Sequence, residues 1–308
     1  MDYLPIFYSS LASILVLIAL GFLLGKIKIL NEFANKALAN LLLSVAMPCA
    51  LFIAFPHQFD PASFDLFLKA VLGAIAMMGS AIIVSRLLFS EKRLHRFYFQ
   101  HQFAFIFNNA SFLGYPLTMA IFGAESMIMY SGLMLVFNLA LFSYGVWLFE
   151  RSLSLKHLRE IFFNPNIIAV FLGLLFFINS WNFPKFIDDS INYIAALTTP
   201  LSLLCIGFML SQVRNWAKIF AKVQLFFTCG LQLILMPLLT FSVLWLLRMP
   251  TTIIQIFTMI QALPTATSLG LFAEKYGGNK IEASELVLIS TILSVFTLPA
   301  VMYFVFKL

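Results

Sequence analysis

The chain of 308 residues is 62% hydrophobic and only 10% charged, with a mean hydropathy of +0.98, whereas an average soluble domain is about half apolar and a quarter charged. This excludes a soluble globular protein: at roughly 20 apolar residues per crossing plus a short connection, about ten membrane helices consume the length. The formal charge of +6, from 19 Lys+Arg against 13 Asp+Glu, would raise nucleic acid in a soluble protein, but here it bears on topology and no nucleic-acid partner is expected.

Continuous apolar runs, rather than short alternating segments, exclude a membrane β-barrel. The expected class is an all-α membrane protein with helices at 5–25, 33–54, 66–88, 98–122, 126–149, 165–181, 190–212, 222–247, 252–274 and 284–306. Only Asp2, and no Lys or Arg, precedes the first apolar run. The basic region of a cleaved signal peptide is therefore missing, and the first run is expected to be a retained helix. Cys49, Cys205 and Cys229 lie inside apolar segments without CxxC spacing, which reads as packing and not as a disulfide or metal site.

The connections after helices 1, 3, 5, 7 and 9, with adjoining helix ends, hold fifteen Lys and Arg, among them Lys26, Arg86, Lys92, Arg93, Arg96, Arg151, Lys156, Arg214, Lys218 and Lys275. The other side holds Lys69, Lys185, Arg248 and Lys307. Positive residues near helix ends stay inside, so both termini are expected to face outward, in the inner (plasma) membrane of a bacterial cell.

Pro48 in helix 2 and Pro200 in helix 7 are 152 residues apart, and Pro116 in helix 4 and Pro264 in helix 9 are 148 apart. The halves keep step, which predicts an internal repeat: helices 1–5 in residues 1–160 and helices 6–10 in residues 161–308. Five is odd, so the second copy enters from the opposite side, the inverted arrangement of many secondary transporters.

The strongest local signals are two polar interruptions. Helix 4 carries Asn108, Asn109, Ser111, Gly114 and Pro116 in mid-segment, and helix 9 carries Gln261, Pro264, Thr265, Thr267, Ser268 and Gly270. Proline has no amide hydrogen and suits the first turn of a helix, so each helix is expected to break, with Pro116 and Pro264 opening new half-helices whose positive ends suit a carboxylate. A lone proline more often makes a simple kink, and Pro48 and Pro200 are read that way. Two interruptions at matching repeat positions point to a binding site.

The segments NNASFLGYPL, QALPTATSLGLFAEKYGG, FFNPNIIAVFLGLLF and VAMPCALF resemble the auxin efflux carrier family, which includes PIN-type exporters of plants and bacterial malate and malonate permeases. The resemblance implies an elevator-type carrier of organic acid anions. Its scaffold comprises helices 1, 2, 6 and 7, and its transport domain helices 3–5 and 8–10. It also implies a homodimer through the scaffold helices and a carboxylate bound where helices 4 and 9 cross. Carried over residue by residue, Asn109 donates its side-chain amide to substrate, with Gly114, Pro116, Pro264 and Thr265 around it. Asn166 is a second substrate-side Asn, although Asn164-Pro165-Asn166 reads equally as an ordinary helix start. Asp65 and Lys69 resemble a supporting DxxxK pair, and an exposed i,i+4 pair is the alternative. Thr265 stands where the plant pattern has a carboxamide. The connection between helices 5 and 6 is short, so auxin itself is a poor match.

No ionisable residue falls in the middle third of an expected helix. A proton wire is therefore not expected, and His101, near the end of helix 4, reads as interfacial. A monovalent anion would cross with its charge uncompensated, so a negative-inside potential would drive it outward without a coupling ion. No motif of an intramembrane enzyme is present, and no cofactor is called for. The competing architecture is a sodium-coupled symporter of the bile-acid type, its ion held by hydroxyls such as those of Ser111, Thr118, Thr265 and Thr267; a channel is the more distant alternative.

Overall fold

A computed structural model describes residues 3–56, 58–89, 97–152, 154–212 and 222–307. The expected cytoplasmic cations Lys92, Arg93, Arg96, Arg214 and Lys218 lie outside the described residues. In chain order the helices are α1 (Tyr3–Lys26), α2 (Glu32–Phe52), α3 (Pro61–Leu88), α4 (Tyr98–Ile106), α5 (Ala110–Phe122), α6 (Ala124–Glu150), α7 (Leu155–Phe162), α8 (Pro165–Ile178), α9 (Lys185–Ser211), α10 (Val223–Leu246), α11 (Thr251–Gln261), α12 (Ser268–Lys275) and α13 (Lys280–Phe306). Among the described residues, α2, α3, α6, α9, α10 and α13 are long and apolar enough to cross a membrane, and Ala12–Lys26, α5, α8 and α11 are shorter apolar helices.

Helix starts fall where capping chemistry puts them, outside the purely apolar windows. α3 begins at Pro61, five residues before the expected start, because Asp60 accepts hydrogen bonds from the Ala62 and Ser63 N–H groups at 3.2 and 2.8 Å and from the Ser63 hydroxyl at 2.7 Å. Proline at the first position needs no such partner. The Ser63 and Ala62 donors hold the Asp60 carboxyl below the usual carboxylate range. α13 likewise starts at Lys280, where Asn279 accepts from the Ile281 and Glu282 N–H groups at 3.1 and 3.3 Å.

Prolines alone do not break these helices. Pro237 and Pro299 sit inside uninterrupted α10 and α13. Pro48 follows a π-helical turn at Leu42–Ala46, and Pro200 follows a non-helical residue, Leu197; these are the local distortions expected of kinks. The segments expected as helices 4 and 9 do break, the first ahead of Pro116 and the second around Pro264. α4 ends at Ile106, and the chain is helical again from Ala110, six residues before Pro116. α11 ends at Gln261, and α12 begins at Ser268, four residues after Pro264. Pro116 stands in the first turn of the α-helical part Tyr115–Phe122, behind a π-helical turn at Ala110–Gly114, whereas Pro264 lies within the break and the helix after it opens at Ser268. Residues 107–109 and 264–266 are extended because they pair with each other.

Chain contacts divide the protein into two compact units: Met1–Ala70, Ser111–Leu135 and Phe162–Arg214 form the first, and Val71–Ala110, Val136–Ile161 and Asn215–Leu308 the second. In the first unit, α1 packs along α9 with very close backbones. A Cβ on Gly207 would lie 2.1 Å from the Ile18 carbonyl oxygen, and one on Gly21 would lie 2.4 Å from that of Leu204. Gly25 faces the Ser211 side chain, whose Oγ would lie 2.1 Å from an added Cβ, so Gly21-xxx-Gly25 faces Gly207-xxx-Ser211, the small-residue spacing that lets membrane helices approach. In the second unit, α10 packs on α4, α11 and α13, and this group of helices carries the break.

Candidate functional site

In the second unit the two breaks cross as one antiparallel bridge between Asn108 and Thr265. The Asn109 N–H donates to the Pro264 carbonyl at 2.7 Å, and the Ala266 N–H to the Phe107 carbonyl at 2.9 Å. Extended backbone at membrane depth must satisfy its polar groups within the protein, and neighbouring helices complete the task. The Thr265 N–H donates to Ser290 Oγ on α13 at 3.0 Å, and Gln232 Nε2 on α10 donates to the Leu263 carbonyl at 2.7 Å. The Thr265 hydroxyl lies 3.3 Å from both the Ala104 carbonyl oxygen and Gln232 Oε1.

Beside the bridge, Asn108 Nδ2 donates to Gln261 Oε1 at 2.5 Å. Both side chains are 1% exposed. Asn108 Oδ1 and Gln261 Nε2 have no hydrogen-bond partner among the described residues. A buried donor without a partner costs about 1–3 kcal/mol, so a ligand oxygen brought to Gln261 Nε2 recovers that cost. The crossover thus offers one buried neutral donor, Gln261 Nε2, that has no partner among the described residues.

Of the residues singled out from sequence, Asn109, Pro264 and Thr265 are gathered and buried at this crossover. Gly114 and Pro116 are buried in α5, which belongs to the first unit. So does Asn166, 6% exposed at the start of α8, where Asn164 is the cap: it accepts from the Asn166 and Ile167 N–H groups at 2.9 and 3.2 Å. The ordinary helix-start reading of Asn164-Pro165 is therefore realised, while Asn166 Oδ1 is buried without a partner among the described residues. Lys69 Nζ and Asp65 Oδ2 pair at 2.6 Å within α3, with side chains 44% and 56% exposed. Such a pair is worth a few tenths of a kcal/mol.

The family model described as "Membrane transport protein" matches residues 6–155 and 150–302. The chain belongs to this family. It is similar over 301 residues, at 28% identity, to an uncharacterized transporter of Methanothermobacter thermautotrophicus, an alignment covering 94% of this chain and 95% of the relative. A putative malonate transporter of Rhizobium meliloti is 30% identical over 148 residues, 48% of this chain and 45% of that one. Auxin efflux carrier component 8 of Arabidopsis thaliana is 24% identical over 129 residues, 41% of this chain and 35% of that one. The expected kinship with auxin efflux carriers therefore holds, and this family member is an integral membrane transporter.

Several residues of the crossover were not legible beforehand. Gln232 and Ser290 lie on α10 and α13 inside runs that read as plain spans, and Asn108 ranked behind Asn109. The available signal was a single buried-type polar residue in an apolar helix, which the sequence also shows at positions that do nothing of this kind. His101, in the first turn of α4, is 1% exposed, covered by α10 and α13.

Proposed function

We propose that this family member is a secondary carrier of small organic carboxylates, and that the carboxylate binds at the crossover through Asn109, Pro264, Thr265, Asn108 and Gln261. The observation that carries this reading is the buried Gln261 Nε2, without a partner among the described residues, beside two broken helices that pair with each other. Neutral donors and helix ends suit one carboxylate, and the putative malonate transporter among the relatives makes malonate the first probe. The elevator scheme draws support from the contact units. Helices 1, 2, 6 and 7 of the expected scaffold fall in one unit and helices 8–10 in the other, while helices 3–5 are shared. Gly114, Pro116, Asn166 and the Asp65–Lys69 pair keep the roles implied by family resemblance, as does the scaffold-mediated homodimer. The inverted five-plus-five repeat rests on the proline offsets.

Purified protein screened by thermal shift against malonate, malate, succinate and acetate is expected to gain stability with at least one, since a ligand at a hundred times its Kd adds about 2.7 kcal/mol. No shift with any carboxylate would sink the proposal. The same screen with and without sodium decides against the bile-acid-type rival if stabilisation is independent of sodium.

The asymmetry of Lys and Arg places both termini outside the cell in this scheme. Membrane-impermeant reagents applied to intact cells are expected to label tags at either end, and protection of the C-terminal tag alone would make the number of crossings odd and end the inverted-repeat model.

A further inference from the structure

His101 lies at the centre of a three-helix contact that the carboxylate site does not use. Its Nδ1 is 2.7 Å from Thr228 Oγ1 on α10, and its Nε2 is 2.9 Å from Glu282 Oε1 on α13. Thr228 has a second outlet, the Gln224 carbonyl oxygen, at 3.2 Å. This arrangement accommodates either charge state of the imidazole. When the ring is neutral, Nε2–H donates to the Glu282 carboxylate and the Thr228 hydroxyl donates to Nδ1. When a proton adds at Nδ1, that N–H donates to Thr228, whose hydroxyl turns to the Gln224 carbonyl. No donor or acceptor is stranded in either state, and the pair passes from net −1 to net 0. Glu282, with its side chain 22% exposed, connects the buried ring to the surface.

The same three helices hold the crossover. His101 is one turn from Ala104, whose carbonyl accepts the Thr265 hydroxyl; Thr228 is one turn from Gln232; Glu282 is two turns from Ser290. Residues so spaced share a helix face, so a change at His101 acts on the elements that brace the break.

Among the described residues, several other charged groups near this end of the elements around α4 are already engaged, while Glu125 is exposed at the opposite end of α6 and Lys307, after α13, lies over Tyr303. Lys222 pairs with Glu285 at 2.5 Å, Lys280 with Glu274 at 2.9 Å, and Lys275 with Glu160 at 2.8 Å. Arg86 donates to the Tyr144 hydroxyl at 3.1 Å and lies over Trp147, and Arg151 binds the Tyr98 hydroxyl. Glu150 sits 3.2 Å from His157, a second His–Glu pair at the end of α6.

We propose that His101, Glu282 and Thr228 form a proton-binding site that couples one proton to each carboxylate carried. The coupling rests on the carboxylate reading above; the proton site itself does not. It replaces the voltage-driven uniport expected from sequence.

Two measurements test it. In protein labelled at its four histidines, the ring signal missing from His101→Gln identifies His101 by nuclear magnetic resonance. That signal is expected to change with pH, and the change is expected to be altered in Glu282→Gln, which keeps the acceptor but removes the counter-charge. A signal that does not change with pH overturns the site whatever malonate does. In proteoliposomes at zero membrane potential with the interior one pH unit more alkaline, malonate is expected to accumulate about tenfold, the ratio one-to-one coupling allows. Glu282→Gln and His101→Gln are expected only to equilibrate it, while His157→Gln still accumulates it. Simple equilibration by the unmodified protein, or full accumulation by Glu282→Gln, overturns the coupling. Failure to bind or transport any carboxylate while His101 still titrates counts against the carboxylate reading alone.

Discussion

Asn109→Ala is expected to cut carboxylate uptake by tenfold or more while the protein remains folded. A hydrogen bond to a charged ligand is worth about 1.5–3 kcal/mol, and among the described residues no Lys or Arg is bonded to the crossover to compensate for a lost neutral donor. The bridge survives the substitution, because the bond from residue 109 to the Pro264 carbonyl is made by the backbone. Asn108→Ala and Gln261→Leu are expected to be about as damaging, for a different reason. Each removes one half of the buried amide pair and strands the other. Sequence alone ranks Asn108 below Asn109, and the pairing with Gln261 removes that ranking. Initial rates of malonate uptake in proteoliposomes, normalised to protein incorporated, measure the effect. Unmodified rates for Asn109→Ala would return it to the role of a packing residue in a broken helix.

Gly207→Val is expected to destabilise the first unit strongly, by about 3 kcal/mol or more. Overpacking a tight core commonly costs 1–3 kcal/mol through side-chain adjustment, but here the obstacle is backbone, the Ile18 carbonyl and the Phe22 nitrogen, which have no rotamer to yield. The substitution must push α1 off α9. Thermal unfolding in detergent is expected to drop by several degrees, or the protein to fail to accumulate in membranes. Gly79→Ala is the matched control: nothing lies within 4 Å of its added Cβ, and replacing a helical glycine by alanine gains about 0.5–1 kcal/mol of propensity and backbone entropy. Equal stability of Gly207→Val and the unmodified protein would contradict the close approach.

Apolar run length is a one-dimensional property, and it located the apolar helices approximately, missing the short amphipathic α7, the early start of α9 at Lys185 and the starts extended by caps such as Asp60 and Asn279. Polar residues interrupting such runs are equally visible, so the two breaks and the family kinship were legible in NNASFLGYP and QALPTATS. The exact position of each break was not. Proline chemistry pointed to residues 116 and 264, whereas helix ends are decided by which carbonyls and N–H groups find partners, and those partners lie more than 150 residues away across the crossover.

What the sequence by itself determined is the all-helical membrane class, the approximate spans, the location of the polar interruptions and the family. Those depend on local composition and on the cost of exposing polar groups to hydrocarbon. Only the tertiary structure decided that Gln232 and Ser290 brace the break, that Asn108 pairs with Gln261, that His101 is buried between Thr228 and Glu282, and that Gly21 and Gly207 bring two backbones together. Each of these is a contact between distant segments. Its partner is fixed by how helices stack in three dimensions, and no periodicity within a single helix encodes it.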